Sequence, residues 1–279
     1  MEKIEMFKLK KAGLSNAQVL NILRYEEIHD EELCLRDRAV ISEYQKPSQL
    51  MERYHALDEE ECLKEFRSFP SISIEEEDYP DELLEIYNPP ALLFYQGDLS
   101  LLKGKRLAVV GSRQATAYGL AVTKKLMKEI GNQLIIVSGL AKGIDSAAHL
   151  ASLKNGGKTI GVIGTGLDMV YPKENQELQE FLGKEHLLLS EYGPGQGVRP
   201  YHFPERNRII AGLSNGVLVV EARKKSGSLI TCERALEEGR DVLAVPGSIL
   251  SPESAGCNHL IEEGAYCVTN GQDILSILN

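Results

Sequence analysis

Two hydrophobic periods divide the chain. Over residues 1–68 apolar positions recur at helical spacing, through Ala17, Val19, Leu20, Ile22 and Leu23 and again from the 40s to Phe66. Recurrence every three to four residues puts these side chains on one helical face, so this part reads as a small helical bundle. Ser15 stands just ahead of the first run, where a hydroxyl can accept from a free first-turn N–H. From residue 105 the period changes. Short β-branched runs at 106–110, 134–138, 159–163, 186–190, 216–221, 241–245 and 265–269 alternate with longer amphipathic stretches. Most of these runs are apolar throughout, as strands covered on both faces require. Strands alternating with helices predict an α/β fold with a doubly wound, mostly parallel sheet.

Between the two patterns, residues 69–104 carry Pro70, Pro80, Pro89 and Pro90 and read as a connector. Leu92-Leu93-Phe94-Tyr95 predicts a short edge strand leading into the sheet, and Glu75-Glu76-Glu77-Asp78 a solvated turn rather than a metal site. The expected organisation is an acidic helical unit over 1–68, a connector over 69–104 and an α/β unit over 105–279.

Charge sharpens this division. The 279 residues carry a net charge of −10, which argues against nucleic acid as a partner. Its distribution reverses the argument. Residues 1–100 hold 11 Lys and Arg against 23 Asp and Glu, whereas 101–279 hold 20 against 18. The acidity sits in the front third, and the rest is free to carry a local basic groove, which is what a phosphate backbone feels. No apolar run approaches the roughly 20 residues that span a bilayer. The start, Met1-Glu2-Lys3-Ile4-Glu5, lacks a signal peptide's basic and then apolar regions, so a cytoplasmic protein without a membrane span is expected. Cys34, Cys62, Cys232, Cys257 and Cys267 form no Cys-x-x-Cys pair, so neither a disulfide framework nor a metal site is suggested.

In a doubly wound sheet ligands bind beyond the carboxyl ends of the strands. There the chain places Gly111, Gly139, Gly164, Gly166, Gly193 and Gly247. Gly111-Ser112-Arg113 follows the first strand and precedes a helix near Tyr118-Gly119. It reads either as an anion cradle with a charged fork or as a tight turn with a surface arginine. Asp145 and His149, after Gly139-Leu140-Ala141-Lys142-Gly143, are one helical turn apart. They are conceivable as a catalytic pair, but a local hydrogen bond for Asp145 and a packed His149 are the plainer reading. Lys173, behind Gly164-Thr165-Gly166 and Tyr171-Pro172, can reach the same crevice or be a plain surface lysine. Phe203-Pro204-Glu205-Arg206-Asn207-Arg208 combines an aromatic with cations and an amide, suited to stacking a base and gripping phosphates. Alternatively, one of its arginines pairs with Glu205 or Glu221, and Phe203 is a core residue. Ser226-Gly227-Ser228, after Arg223-Lys224-Lys225, is another helix start, explained by anions or by capping alone.

Taken together, these loops resemble the DNA-processing protein A (Smf) family. The matching pieces are Val109-Val110-Gly111-Ser112-Arg113, Ser138 to Asp145 with His149, Gly164-Thr165-Gly166 with Tyr171-Pro172, and Phe203 to Ile210. They continue with Glu221-Ala222, Ser226 to Thr231, Gly239-Arg240, Val245-Pro246-Gly247 and Gly256-Cys257-Asn258-His259-Leu260-Ile261, in family order over roughly residues 80–270. The resemblance implies an extended Rossmann-like domain preceded by a sterile-alpha-motif-like helical domain. It implies single-stranded DNA binding without turnover, no cofactor, and handover of the strand to a RecA-type recombinase during natural transformation. By position it points to Arg113 and Lys173 as DNA contacts, with Gly111, Ser112, Gly139, Arg206 and Asn207 lining the pocket. It further implies a homodimer joined near Asn258, His259, Ile261 and Cys267. Many family members carry a C-terminal winged-helix-like domain. With the chain ending at Asn279, the short form without it is expected.

Two other readings compete. The fold variant is similar to nucleoside-monophosphate phosphoribohydrolases, which use a Pro-Gly-Gly-x-Gly-Thr-x-x-Glu loop. Here the corresponding stretch is Ser226-Gly227-Ser228-Leu229-Ile230-Thr231-Cys232-Glu233, without the glycine pair and with Glu233 at another offset. The third reading is a nucleotide-sensing or scaffolding protein.

Overall fold

The computed structural model describes residues 1–278. Helices α1 (Lys3–Ala12), α2 (Asn16–His29), α3 (Leu35–Ile41), α4 (Pro47–His55) and α5 (Glu59–Phe66) form the front unit. Ser15 starts α2 as anticipated: its hydroxyl accepts from Gln18 N–H at 3.3 Å, and the Gln18 side chain accepts from Ser15 N–H at 2.9 Å. The reciprocal pair satisfies two of the donors a helix start leaves free.

Then follow β1 (Ser71–Ser73), α6 (Asp81–Leu84), β2 (Leu92–Gly97), β3 (Arg106–Val110), α7 (Ala117–Ile130), β4 (Ile135–Ser138), α8 (Ile144–Lys154) and β5 (Thr159–Ile163). The chain continues through α9 (Gln176–Glu185), β6 (Leu187–Ser190), α10 (His202–Gly212), β7 (Gly216–Val219), α11 (Gly227–Glu237), β8 (Asp241–Ala244), α12 (Ala255–Glu262), β9 (Tyr266–Cys267) and α13 (Gly271–Leu278). One sheet, ordered β1-β2-β6-β5-β4-β3-β7-β8-β9, joins the strands of the described residues. From β6 to β9 every pairing is parallel. All seven strands read from the sequence are present, trimmed by a few residues at their ends.

The segment 69–104, read from the sequence as a connector, supplies two strands. β2 runs antiparallel to β6 and is itself covered by β1, so the strand expected at the edge lies one place inside it. A three-residue strand such as β1 is too short to show a period of its own, which is why the sequence did not announce it.

Alternation along the central strand separates two core layers. Ala108 and Val110 of β3 face the layer that holds Ile209, Ile210 and Val217, and Leu107 and Val109 face the layer of Leu126, Ile130 and Leu275. A third core seats the helical unit on the sheet. There Phe7 meets Phe94 edge-on at 5.7 Å, and Phe66 meets Phe94 at 6.0 Å. A Cβ on Gly193 would stand 2.5 Å from the Phe7 ring, so glycine is what lets α1 close on the sheet here.

Candidate nucleic-acid interface

The chain builds outward from β3 through β4 and β5 to β6, then returns to place β7 on the other side of β3. This reversal opens a crevice at the carboxyl ends of β3 and β7, the position where doubly wound sheets bind ligands. A cleft of about 450 Å³ occupies it. The loop after β3 forms one wall, the start of α10 a second and the start of α11 a third.

Glycines hold the first wall in place. A Cβ on Gly111 would lie 2.7 Å from Ile144, and Gly143 adopts φ +80° with Ser112 O only 2.2 Å from where its Cβ would stand. Ile144 N–H donates to Ser112 O at 3.2 Å, tying the loops after β3 and β4 together. Buried Glu221 then anchors the start of α7, accepting from Thr116 N–H at 2.9 Å and from its hydroxyl at 2.5 Å. That carboxylate is therefore not the arginine partner the sequence allowed for.

The two arginines of greatest interest differ in kind. Arg113 is exposed, its guanidinium lies 5.4 Å from the centroid of the Phe203 ring, and it makes no ion pair among the described residues. Phe203 in turn packs on Tyr171 at 5.4 Å. Arg206 is only 3 % exposed. It donates to Gly139 O at 2.7 Å and to Val162 O, so it staples the loop after β4 to β5. Burial pulls its pKa down to about 10, against the pull of Asp145 in the opposite direction. Burial likewise pushes the Asp145 carboxyl up, offset by Arg206 and by N–H groups of the surrounding loop. A Cβ on Gly139 would fall 2.5 Å from the Arg206 guanidinium, so that glycine makes room for the staple.

Of the residues singled out in the sequence, Gly111, Ser112, Arg113, Arg206 and Asn207 line the cleft, and Gly139 lines a small adjoining cavity of about 70 Å³ beside Arg113, Tyr171 and Phe203. Lys173 lines neither cavity. It opens a short 3-10 turn, exposed, directly after the Tyr171 and Pro172 that do. Arg208 turns away from the cleft and pairs with buried Glu191 at 2.8 Å. Asp145 and His149 form no pair. His149 is fully buried, its Nδ1 is 2.5 Å from Thr159 Oγ1, and burial lowers its pKa to about 3. Glu233 is exposed on α11 and outside the cleft wall.

Sequence reasoning missed Glu253. Its carboxylate forms part of the cleft wall, 3.4 Å from Ser112 Oγ and 2.5 Å from Arg223 Nε. Nothing in Ser251-Pro252-Glu253 signals this, because the contact spans about 140 residues of chain. The expected interface residues Asn258, His259 and Ile261 lie on α12, and Cys267 on the outermost strand β9. His259 and Cys267 are exposed, whereas the Asn258 amide both donates to and accepts from Gly247 at 3.1 Å. No group of metal-ligating side chains occurs among the described residues, and no helix there is long and apolar enough to cross a membrane.

The doubly wound sheet, with a glycine-framed cleft at its switch point, defines a Rossmann-type α/β protein. Comparison with known proteins narrows the class. The family model for DNA recombination-mediator protein A matches residues 71–279, and the model for the sterile alpha motif domain of DNA processing protein A matches residues 1–62. The chain belongs to the DNA-processing protein A family. It is 58 % identical over 272 residues to DNA processing protein DprA of Streptococcus pneumoniae, covering 98 % of this chain and 96 % of that one. It is 50 % identical over 210 residues to the Bacillus subtilis protein of the same name, covering 75 % and 71 %. The crystal structure of the S. pneumoniae protein superposes with a TM-score of 0.97 at 57 % identity over 100 % of this chain and 99 % of that one. A Helicobacter pylori DNA processing protein A, whose structure was described for its single-stranded DNA binding mode, matches with a TM-score of 0.68 at 30 % identity, over 75 % and 96 %.

Proposed function

We propose that this protein binds single-stranded DNA in the switch-point cleft without turning it over, and hands the strand to a RecA-type recombinase in natural transformation. The observation that carries the binding is Arg113: an exposed guanidinium on the Phe203 ring, beside Gly111 and Ser112, with no carboxylate partner among the described residues. A cation held over an aromatic suits a strand that offers both phosphates and π-faces, whatever its sequence. Single-stranded DNA binding by the H. pylori relative supports the same reading. Ser112, Gly111, Gly139 and Asn207 shape the site, Arg206 frames it, and Lys173 contacts the strand at its rim. Recombinase handover and a cytoplasmic setting rest on the family resemblance.

The proposal includes a homodimer joined through Asn258, His259, Ile261 and Cys267, which would align two clefts. The exposure of His259 and of β9 at one edge of the sheet supports it, with Ile261 half-buried against the core of its own chain. It also keeps the division into a helical unit (1–68), a connector (69–104) and a binding and dimerising unit (105–279), with the connector's strands serving the sheet of the third.

The test is fluorescence anisotropy of labelled oligo-dT, single- and double-stranded, over a salt series. Wild type should bind the single strand tightly and lose affinity as salt rises. Arg113→Glu should weaken binding about 30- to 100-fold, a loss of about 2–3 kcal/mol, with unchanged folding. Normal binding by that variant removes Arg113 from the site. Ile261→Glu should sediment as a monomer, and an intact dimer refutes the interface.

A further inference from the structure

Helix α10 has two working flanks. Phe203, Arg206 and Asn207 face the switch-point cleft, whereas His202, Glu205 and Arg208 face a second cleft of about 480 Å³ between the α/β unit and the helical unit. The far wall of this cleft is the turn from α1 to α2: Lys10, Lys11, Ser15 and Asn16. The function proposed above makes no use of it.

Its chemistry favours an anion. Arg208 is 7 % exposed, and only one of its nitrogens is engaged, Nη2 with Glu191 at 2.8 Å. Nε and Nη1 are buried without a partner among the described residues, an arrangement that costs free energy unless a ligand completes it. Lys10 Nζ lies 3.4 Å from both the backbone oxygen and the carboxylate of Glu191, too far to be fully satisfied by either. Lys10 and Arg208 together hold the Glu191 carboxyl low despite its burial. Glu205 accepts from the Tyr192 hydroxyl at 3.0 Å. The wall carries Lys10 and Arg208, which share the single carboxylate of Glu191, and Arg199, without an ion pair among the described residues, against Glu205; Lys11 is compensated by Glu65. The first turn of the 14-residue helix α2 also opens on it, adding the positive end of the helix dipole. Arg199 stands at the mouth, exposed, with its guanidinium on the Tyr201 hydroxyl at 2.8 Å, and Tyr201 is 52 % exposed.

We infer that the second cleft binds a backbone phosphate of the same strand as it leaves the first cleft across the start of α10. Arg199 and Tyr201 lie on that path. A helix is about 10 Å across with its side chains, a distance a few nucleotides span. The inference rests on the nucleic-acid reading above, and it makes the helical unit part of the DNA-binding surface despite its acidity.

The experiment compares oligo-dT of about 4 and about 20 nucleotides, lengths that bracket single-strand site sizes. Wild type, Arg199→Glu, Lys10→Gln and Arg113→Glu are measured by anisotropy over a salt series. Arg199→Glu should weaken the long oligonucleotide about 5- to 10-fold and lower its salt slope by about 0.7 per phosphate lost, leaving the short one unchanged. Lys10→Gln should act in the same direction, more weakly. A 5-iodouracil-labelled long strand should photocrosslink to Tyr201, and the short one should not. Wild-type affinity and slope for Arg199→Glu on the long strand, with Arg113→Glu still defective, overturn the second site and leave the first standing. Unchanged binding by Arg113→Glu at both lengths overturns both.

Discussion

The helical unit and the switch-point edge of the sheet use the same basic residue types to opposite ends. In the helical unit five cations are paired, among them Lys3 with Glu76 at 2.8 Å, Lys8 with Glu59 at 2.9 Å, and Arg38 with Glu5 and Glu26 at 3.0 Å each. At the sheet edge Arg223 pairs with Glu253 and Lys142 with Glu174, whereas Arg113, Lys173 and Lys225 form no ion pair among the described residues. A paired cation contributes little field beyond its partner, whereas an unpaired one projects its charge toward a phosphate. The difference teaches that a binding surface is defined by which charges are left uncompensated. It also explains how a chain of net charge −10 presents a basic cleft.

Arg206 tests this distinction most severely, because it sits in the cleft wall yet is buried and taken up by backbone carbonyls. Arg206→Met should cost about 3–5 kcal/mol in urea unfolding, since it leaves Asp145 buried without its cation and two carbonyls without donors. A variant of normal stability that fails to bind would move Arg206 among the DNA contacts.

Buried histidine extends the comparison to pH. His149, lowered by burial to about 3, is neutral in the fold, and the unfolded chain binds its proton near pH 6.5. Its contribution is complete above pH 6.5 and is lost as pH falls below it, with a slope of up to about 1.4 kcal/mol per pH unit. His186 and His202, also lowered by burial, act in the same direction. Unfolding free energies measured between pH 7 and 5 should decline in this way, and His149→Gln should flatten the profile. An unchanged slope in that variant excludes His149 as a source.

Lys173→Ala should weaken single-strand binding only about 3- to 5-fold and reduce the salt slope by about 0.7, as befits a rim contact outside both cavities. An effect as large as that of Arg113→Glu would place Lys173 inside the site in the bound state. The smallest effect is expected from Lys8→Gln. Its partner Glu59 is 84 % exposed, so stability should change by less than about 1 kcal/mol and binding should not change. A drop in affinity there would break the contrast between the two regions.

Local pattern made much of this legible in the sequence. The shift from helical spacing to short apolar runs located the α/β unit and its seven parallel strands. The Ser15 cap could be read because its partners are three residues away. Gly111 and Gly139 could be placed at strand ends because each directly follows its strand, whereas the role given to Arg113 came from the family resemblance. β1 was not legible, because three residues carry no period.

Tertiary structure alone decided which groups at the sheet edge are available. It turned Arg206 inward to carbonyls contributed by β5 and the loop after β4, and sent Arg208, two positions later, to the opposite flank of α10. It brought Glu253 to Ser112, kept Lys173 at the rim and buried His149 against Thr159. The physical reason is range. Periodicity, capping and glycine turns are settled among residues a few positions apart, and so they are written in the sequence. Burial and charge pairing depend on partners tens to hundreds of residues away, and only the closing of the sheet brings those partners together.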